Sequence, residues 1–313
     1  MKILDCTLRD GGHLNNWSFD TNFAKDLYLT AVNSGVNYFE VGYRISNNIN
    51  NLGAFAHCDD SFISELFEKK NNCKITVMAQ QGKFSVNDFV DVSTNTSPIR
   101  AIRVATYPHT IKEAYYECIK LKNKGYDVFF NLMATSRFES DHYTILEKLP
   151  NKNLIDYIVF SDSFGFMLPN EVSIVTKKLS NIGFNNIGFH SHNNQQLAFA
   201  NALSAIDAGC SIIDATVCSM GRGAGNLSME AILCYLNRQG ENITPISYFK
   251  FIEKYLPDNL EHIYNLIAGH FNLHPKYISE FISRNKPTVD ELWDISEYLS
   301  LNTPVFFDGK YLN

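Results

Sequence analysis

Eight short apolar runs, each followed by a longer stretch with helical spacing or a loop, constrain this chain more than any other feature. Read as strands, they cover residues 3–8, 38–41, 75–79, 102–105, 128–133, 157–161, 187–190 and 212–216. Helical patterns over 23–34, 61–69, 110–124, 171–182 and 195–208 fall between them. Strand-length runs that alternate with helices are the mark of a parallel sheet. Gly35, Gly125, Gly183 and Gly209 each stand just past a helix, where a left-handed cap is wanted. The pattern predicts an α/β fold, a TIM (β/α)8 barrel over residues 1–239. A doubly wound sheet is the runner-up, but Arg9-Asp10-Gly11-Gly12-His13 after the first strand is not a Gly-rich phosphate turn. From 240 to 313 the pattern changes. Residues 246–255, 260–271, 275–282 and 289–299 read as helices punctuated by proline, a small C-terminal helical subdomain. The run Ser46-Asn47-Asn48-Ile49-Asn50-Asn51 after the second strand reads as a mobile loop on the active face.

At 313 residues, 45% hydrophobic and 19% charged, the chain can bury a large core. The net charge of −6 and the lack of any dense basic stretch exclude a nucleic-acid or membrane-surface footprint. No run is long enough to span a bilayer, and MKILDCTLRD carries no signal-like apolar segment, so little is expected to have been removed before the first strand. The seven cysteines have no close C-x-x-C spacing, which fits a reducing, cytoplasmic setting rather than a disulfide framework.

In a TIM barrel the active site lies at the C-terminal ends of the strands. Arg9, Asp10 and His13 follow the first strand, and Glu40 and Tyr43 flank the end of the second. Arg103 and Tyr107 belong to the fourth, and Asp162 and Ser163 follow the sixth. His190 and His192 end the seventh, and the loop Met220–Asn226 follows the eighth. In the first strand, Leu4, Cys6 and Leu8 are expected to face the helices, with Asp5, Thr7 and Arg9 facing the barrel interior. A buried Arg9 needs a partner, either a carboxylate such as Asp5 or Glu40 or a bound anion.

Two histidines at i and i+2 on a strand point the same way, and Asp10 stands on the same rim. The bland reading is two core histidines satisfied by backbone groups. The sharper one is a divalent metal held by Asp10, His190 and His192, with open positions for the ketone and carboxylate oxygens of a 2-oxo acid. Such donors suit Mn²⁺ or Mg²⁺, with Co²⁺ or Fe²⁺ as further options, and no thiolate cluster points to structural zinc. The loop at 221–226 lacks the Lys-Ser/Thr ending of a P-loop; it reads as a tight turn bringing Asn226 near the metal, or as a plain cap. No strand ends in lysine, which argues against Schiff-base chemistry. His13 is the candidate general base.

Thr7-Leu8-Arg9-Asp10-Gly11, the His190-x-His192 pair and Gly221-Arg222-Gly223-Ala224-Gly225-Asn226 together resemble the DRE-TIM metallolyase superfamily, which includes HMG-CoA lyase. The resemblance spans the whole barrel, with Asp162-Ser163 and Asp214-Ala215 also in register. His13 stands where the acyl-CoA lyases and synthases carry Gln, so the resemblance is nearest to the 4-hydroxy-2-oxovalerate aldolase branch. It implies a lyase that splits a 4-hydroxy-2-oxo acid to pyruvate and an aldehyde, reversibly. The implied roles are metal binding for Asp10, His190, His192 and, less firmly, Asn226. Arg9 would stabilise the enolate, His13 would exchange the C4 hydroxyl proton, and the backbone at Ser163 would help hold the pyruvate carboxylate. Tyr277 aligns loosely with an active-site tyrosine. Arg222 departs from the small residue usual there and would meet a phosphate, a second carboxylate or a surface acid. An acylating aldehyde dehydrogenase partner accompanies the catabolic aldolases, but the short segment after Tyr277 counts against it. A homodimer is the default oligomer. The alternative activity is a Claisen-type acyl-CoA transferase of the isopropylmalate or homocitrate synthase kind.

Overall fold

Strands β1 (Lys2–Asp5), β2 (Tyr38–Tyr43), β3 (Lys74–Gln80), β4 (Ile99–Thr106), β5 (Asp127–Leu132), β6 (Tyr157–Asp162), β7 (Ile187–Ser191) and β8 (Ile212–Ala215) run parallel in sequence order. The last pairs back on the first, with Leu4 beside Asp214, so the sheet closes into a barrel. The structure is a computed structural model that describes residues 1–45, 51–68, 72–304 and 306–312. Most of the Asn-rich run, at 46–50, lies outside the described residues.

The helices are α1 (Thr7–Asn15), α2 (Thr21–Asn33), α3 (Asp60–Leu66), α4 (Ile111–Asn123), α5 (Ser140–Glu147), α6 (Pro169–Asn181), α7 (Ala198–Asp207) and α8 (Met229–Arg238). Between β3 and β4 a short 3₁₀ turn, Val86–Asp88, stands in place of a helix. Gly35, Gly125, Gly183 and Gly209 all have positive φ, as their positions past α2, α4, α6 and α7 require.

The first strand is shorter than its sequence implies, and its faces are reversed. It stops at Asp5, whose Oδ1 accepts the Thr7 N–H at 2.7 Å as the chain turns into α1. Leu4 and Cys6 join the small cluster inside the barrel, with Phe129, Val159 and Ile212. Ile3 and Leu8 pack into the larger core between barrel and helices. Asp5 therefore points outward, and Arg9 rides on a helix rather than a strand. A strand side-chain period of two makes this an all-or-none matter within the strand, where one wrong phase inverts every residue; Leu8, on α1, meets the helices as expected.

Inside the barrel, apolar side chains form a plug below a polar layer made by Glu40, Arg103, Asn131, Ser161, His190 and Asp214. Helices α9 (Ile246–Tyr255), α10 (Leu260–His270), α11 (Pro275–Asn285) and α12 (Val289–Asn302) follow. They share one apolar core with the barrel helices. Phe23 of α2 packs edge-on to Phe251 of α9 at 5.0 Å. Tyr248 of α9 donates its hydroxyl to Asp5 Oδ2 at 2.6 Å. Burial raises the Asp5 carboxyl to about 6, against the lowering effect of its Thr7 and Tyr248 hydrogen bonds. The seven cysteines are free, and no described helix is long and apolar enough to cross a membrane.

Candidate active site

Helix α1 gathers three of the candidate side chains on one face. Arg9 and His13 are four residues apart, and Asp10 and His13 three apart, so all three project the same way. The helix carries two glycines, and tertiary contacts hold it. Arg9 Nε donates to Glu40 Oε2 at 2.7 Å, and Nη1 to Asp10 Oδ1 at 2.8 Å. The Trp17 indole N–H donates to the Arg9 carbonyl at 2.8 Å, and Thr7 Oγ1 accepts the Val217 N–H at 3.0 Å. Of the partners proposed for Arg9, Glu40 is the one found, joined by Asp10.

His190 and His192 project from the end of β7 toward Asp10, and their rings meet edge to face at 5.1 Å. Ligand atoms of Asp10, His190 and His192 all lie within 4.8 Å of one another, a group able to hold a metal ion. Two further observations fit. The Asn226 amide N–H donates to Asp10 Oδ2, while its buried Oδ1 has no hydrogen-bond partner. A Cβ at Gly221 would come within 2.3 Å of Asn226 Nδ2 and 3.3 Å of Asp10 Oδ2, so the turn beside the group has room for glycine alone.

The electrostatics suit ligation. Burial alone would raise the Asp10 carboxyl, but Arg9, His190, His192 and the Asn226 amide hold it well below the usual carboxylate range. Burial, helped by His190, pushes His192 down to about 3 against the pull of Asp10, so its ring is neutral. Beneath, His190 Nδ1 lies 3.0 Å from Asp214 Oδ2, leaving Nε2 toward Asp10. Asp214 accepts in turn from Arg103 Nη2, and Arg103 also donates to Asn131 Oδ1 at 2.8 Å. Cys6, His190 and Asp214 form a second close group. It is unsuited to ligation, because Arg103 occupies Asp214 and burial pushes the Cys6 thiol up.

Arg9, Asp10, His13, Ser163, His190, His192 and Arg222 line one cavity of about 500 Å³ at the C-terminal end of the barrel. His13 Nε2 lies 3.8 Å from Asp10 Oδ1, and its ring packs on Trp17 at 4.7 Å. Burial lowers the His13 imidazole, Asp10 opposing and Arg9 and Arg222 assisting, so the ring is unprotonated at neutral pH. Ser163 Oγ accepts the Ala134 N–H at 2.8 Å. Tyr277 is placed elsewhere. Its ring is fully buried in α11 against Phe307, and its hydroxyl accepts the Asp308 N–H at 2.9 Å, so it fastens the C-terminal segment and does not line the cavity. Lys83, Asn131 and Asn194 also line the cavity, and the sequence reading did not single them out. Asn131 is signalled by alternation along β5, where Phe129 faces in and Phe130 out. Lys83 stands in the turn after β3 with no local signature.

Known proteins resemble this chain over most of its length. "4-hydroxy-2-oxovalerate aldolase" of Moorella thermoacetica is 28% identical over 253 residues, covering 80% of this chain and 74% of that protein. "Oxaloacetate decarboxylase" of Mycobacterium tuberculosis is 25% identical over 239 residues, covering 76% of this chain and 70% of that protein. Among solved structures, the N-terminal domain of a putative aldolase from Bacteroides vulgatus superposes with a TM-score of 0.73 at 30% identity, over 93% of this chain and 99% of that one. An HMG-CoA lyase from Bacillus subtilis shares the fold, with a TM-score of 0.65 at 15% identity over 84% of this chain and 97% of that one. The HMGL-like family profile matches residues 1–254, and with the barrel and its rim of polar side chains this shows that the chain belongs to the HMGL-like family.

Proposed function

We propose that this protein is a divalent-metal-dependent pyruvate aldolase, a carbon–carbon lyase that splits a 4-hydroxy-2-oxo acid to pyruvate and an aldehyde and runs in both directions. The observation that carries the reading is the shared cavity. It sets a metal-binding group, Asp10, His190 and His192, beside an arginine held by two carboxylates and a neutral histidine. Asp10, His190 and His192 would hold the ion, with Asn226 Oδ1 as a further donor. Mn²⁺ or Mg²⁺ suits these donors, with Co²⁺ also compatible. When bound, the ion supplies Lewis-acid polarisation of the 2-oxo group.

The chain's own residues do the rest. His13 Nε2 accepts the proton of the C4 hydroxyl as the C3–C4 bond breaks and C4 becomes the aldehyde carbonyl. The bonding electron pair passes to C3 and the 2-oxo group, giving the pyruvate enolate. Arg9, fixed by Glu40 and Asp10 before substrate arrives, stabilises the negative charge as it develops. The enolate then takes a proton at C3 from water, to which protonated His13 returns its own, and pyruvate is complete. Ser163 lines the cavity and would help orient the carboxylate. Relatives named aldolase and decarboxylase support carbon–carbon cleavage, and the Claisen-type transferase is not favoured. The seven unpaired thiols suit a cytoplasmic setting. A homodimer is the expected oligomer, and no dehydrogenase partner enters the reading.

The test is exchange of the pyruvate methyl protons in D₂O, followed by NMR with Mn²⁺ or Mg²⁺, with chelator, and with Arg9→Ala. Exchange that needs metal and falls about 10²–10³-fold in the variant is expected, on the scale of losing a preorganised donor. No exchange with any divalent metal would overturn the reading.

A further inference from the structure

The walls of the cavity carry more positive charge than pyruvate chemistry requires. Three cationic side chains, Arg9, Lys83 and Arg222, line it against a single carboxylate, Asp10. Arg9 is committed to Glu40 and Asp10. Among the described residues neither Lys83 nor Arg222 has a carboxylate within ion-pair distance.

Arg222 is not a loose surface residue that happens to be near. Its neighbour Gly221 is wedged against Asn226 and Asp10. Its carbonyl accepts the Gly225 N–H at 3.2 Å, and the loop is tied down by Asn193 N–H to the Gly225 carbonyl at 2.8 Å and Asn226 N–H to the Ser219 carbonyl at 3.0 Å. The backbone is thus pinned on both sides while the guanidinium stays exposed over the site. It is close enough to act electrostatically on His13, His192 and Tyr43. In the aldolase reading His13 marks the C4 end of the substrate, and Arg222, lining the same cavity within electrostatic reach of His13, can meet the group that C4 carries.

We infer that the aldehyde half of the substrate bears a second anionic group, a carboxylate or a phosphate, recognised by Arg222 with Lys83 as an auxiliary cation. This rests on the aldolase reading and narrows it from any 4-hydroxy-2-oxo acid to a doubly anionic one. A planar guanidinium presents paired donors that match either anion. A site built around such a contact discriminates against substrates that lack it, because its own charged groups are then left without a partner.

The experiment runs the condensation with pyruvate and the preferred metal, using aldehydes paired by carbon skeleton as neutral and anionic forms. Butyraldehyde and glyceraldehyde are the neutral acceptors; succinic semialdehyde and glyceraldehyde 3-phosphate carry the carboxylate and the phosphate on the same carbon skeletons. One anionic acceptor is expected to exceed its neutral counterpart tenfold or more in kcat/KM, and which one identifies the anion. Arg222→Met should collapse that ratio by at least tenfold, Lys83→Met by less, and Arg222→Lys should restore part of it. Equal use of neutral and anionic acceptors, or a ratio indifferent to Arg222→Met, overturns the inference. Pyruvate proton exchange in the wild-type protein separates the two levels. Exchange without anion selectivity overturns this inference alone; no exchange removes the aldolase reading and this inference with it.

Discussion

Asp10 serves more partners than any other side chain in the site. It accepts from Arg9 and Asn226, and it faces both histidines. The residues named from the sequence around it, Arg9, His13, His190, His192 and Asn226, are those the fold brings together, because each belongs to the C-terminal end of a strand or to the segment that follows it on the same rim. Their supports were harder to read. Asp214 sits in an ordinary apolar strand, and its role depends on meeting His190 24 residues earlier and Arg103 111 residues earlier. By holding Nδ1 of His190, Asp214 fixes which nitrogen is turned toward Asp10. Asp214→Asn keeps the shape but weakens that hold, and about a 10–100-fold loss of Mn²⁺ affinity is expected, read by calorimetry. Unchanged affinity would remove Asp214 from the metal's support.

Among the elements, α1 shows where sequence reasoning fails and why. Its first residues alternate like a strand and its glycines discourage a helix. Contacts with Glu40, Val217 and Trp17 settle the matter, and these come from distant parts of the chain. The later helices were legible because their apolar spacing is regular; α9 occupies the expected 246–255. The loop after β8 is governed by close approach rather than pattern. Gly221→Ala would place a methyl 2.3 Å from Asn226 Nδ2 and force Asn226 away from Asp10. Metal affinity should fall at least tenfold, while the melting temperature should move by no more than a few degrees, since the loop lies at the barrel mouth. A large drop in melting temperature with metal affinity intact would contradict this account.

At the scale of the whole molecule, the barrel and the C-terminal helices meet at a charged group. Asp5, buried and raised to about 6, is bonded to Tyr248 of α9. The folded state therefore binds a proton there more tightly than the unfolded chain does. Stability from this group is greatest below the ordinary carboxyl value of 3.8 and declines as pH rises to about 6, by about 3 kcal/mol in all. Relative to wild type, Asp5→Asn should gain about 2–3 kcal/mol between pH 4 and pH 7.5 in urea unfolding, because the amide does not ionise. A constant difference across that range would show that Asp5 titrates normally. Tyr248 belongs to a stretch read as a separate subdomain; its contact with the first strand could not be seen in one dimension. The same two halves each carry one of the chain's two tryptophans. Trp293 packs on His270 and Phe271 among the C-terminal helices, whereas Trp17 stands edge-on to His13 and Tyr43, two residues that line the cavity. Replacing Trp293 by phenylalanine would leave a single indole whose fluorescence reports on the cavity. The molecule thereby carries its own optical probe, through which metal and ligand can be titrated without a label.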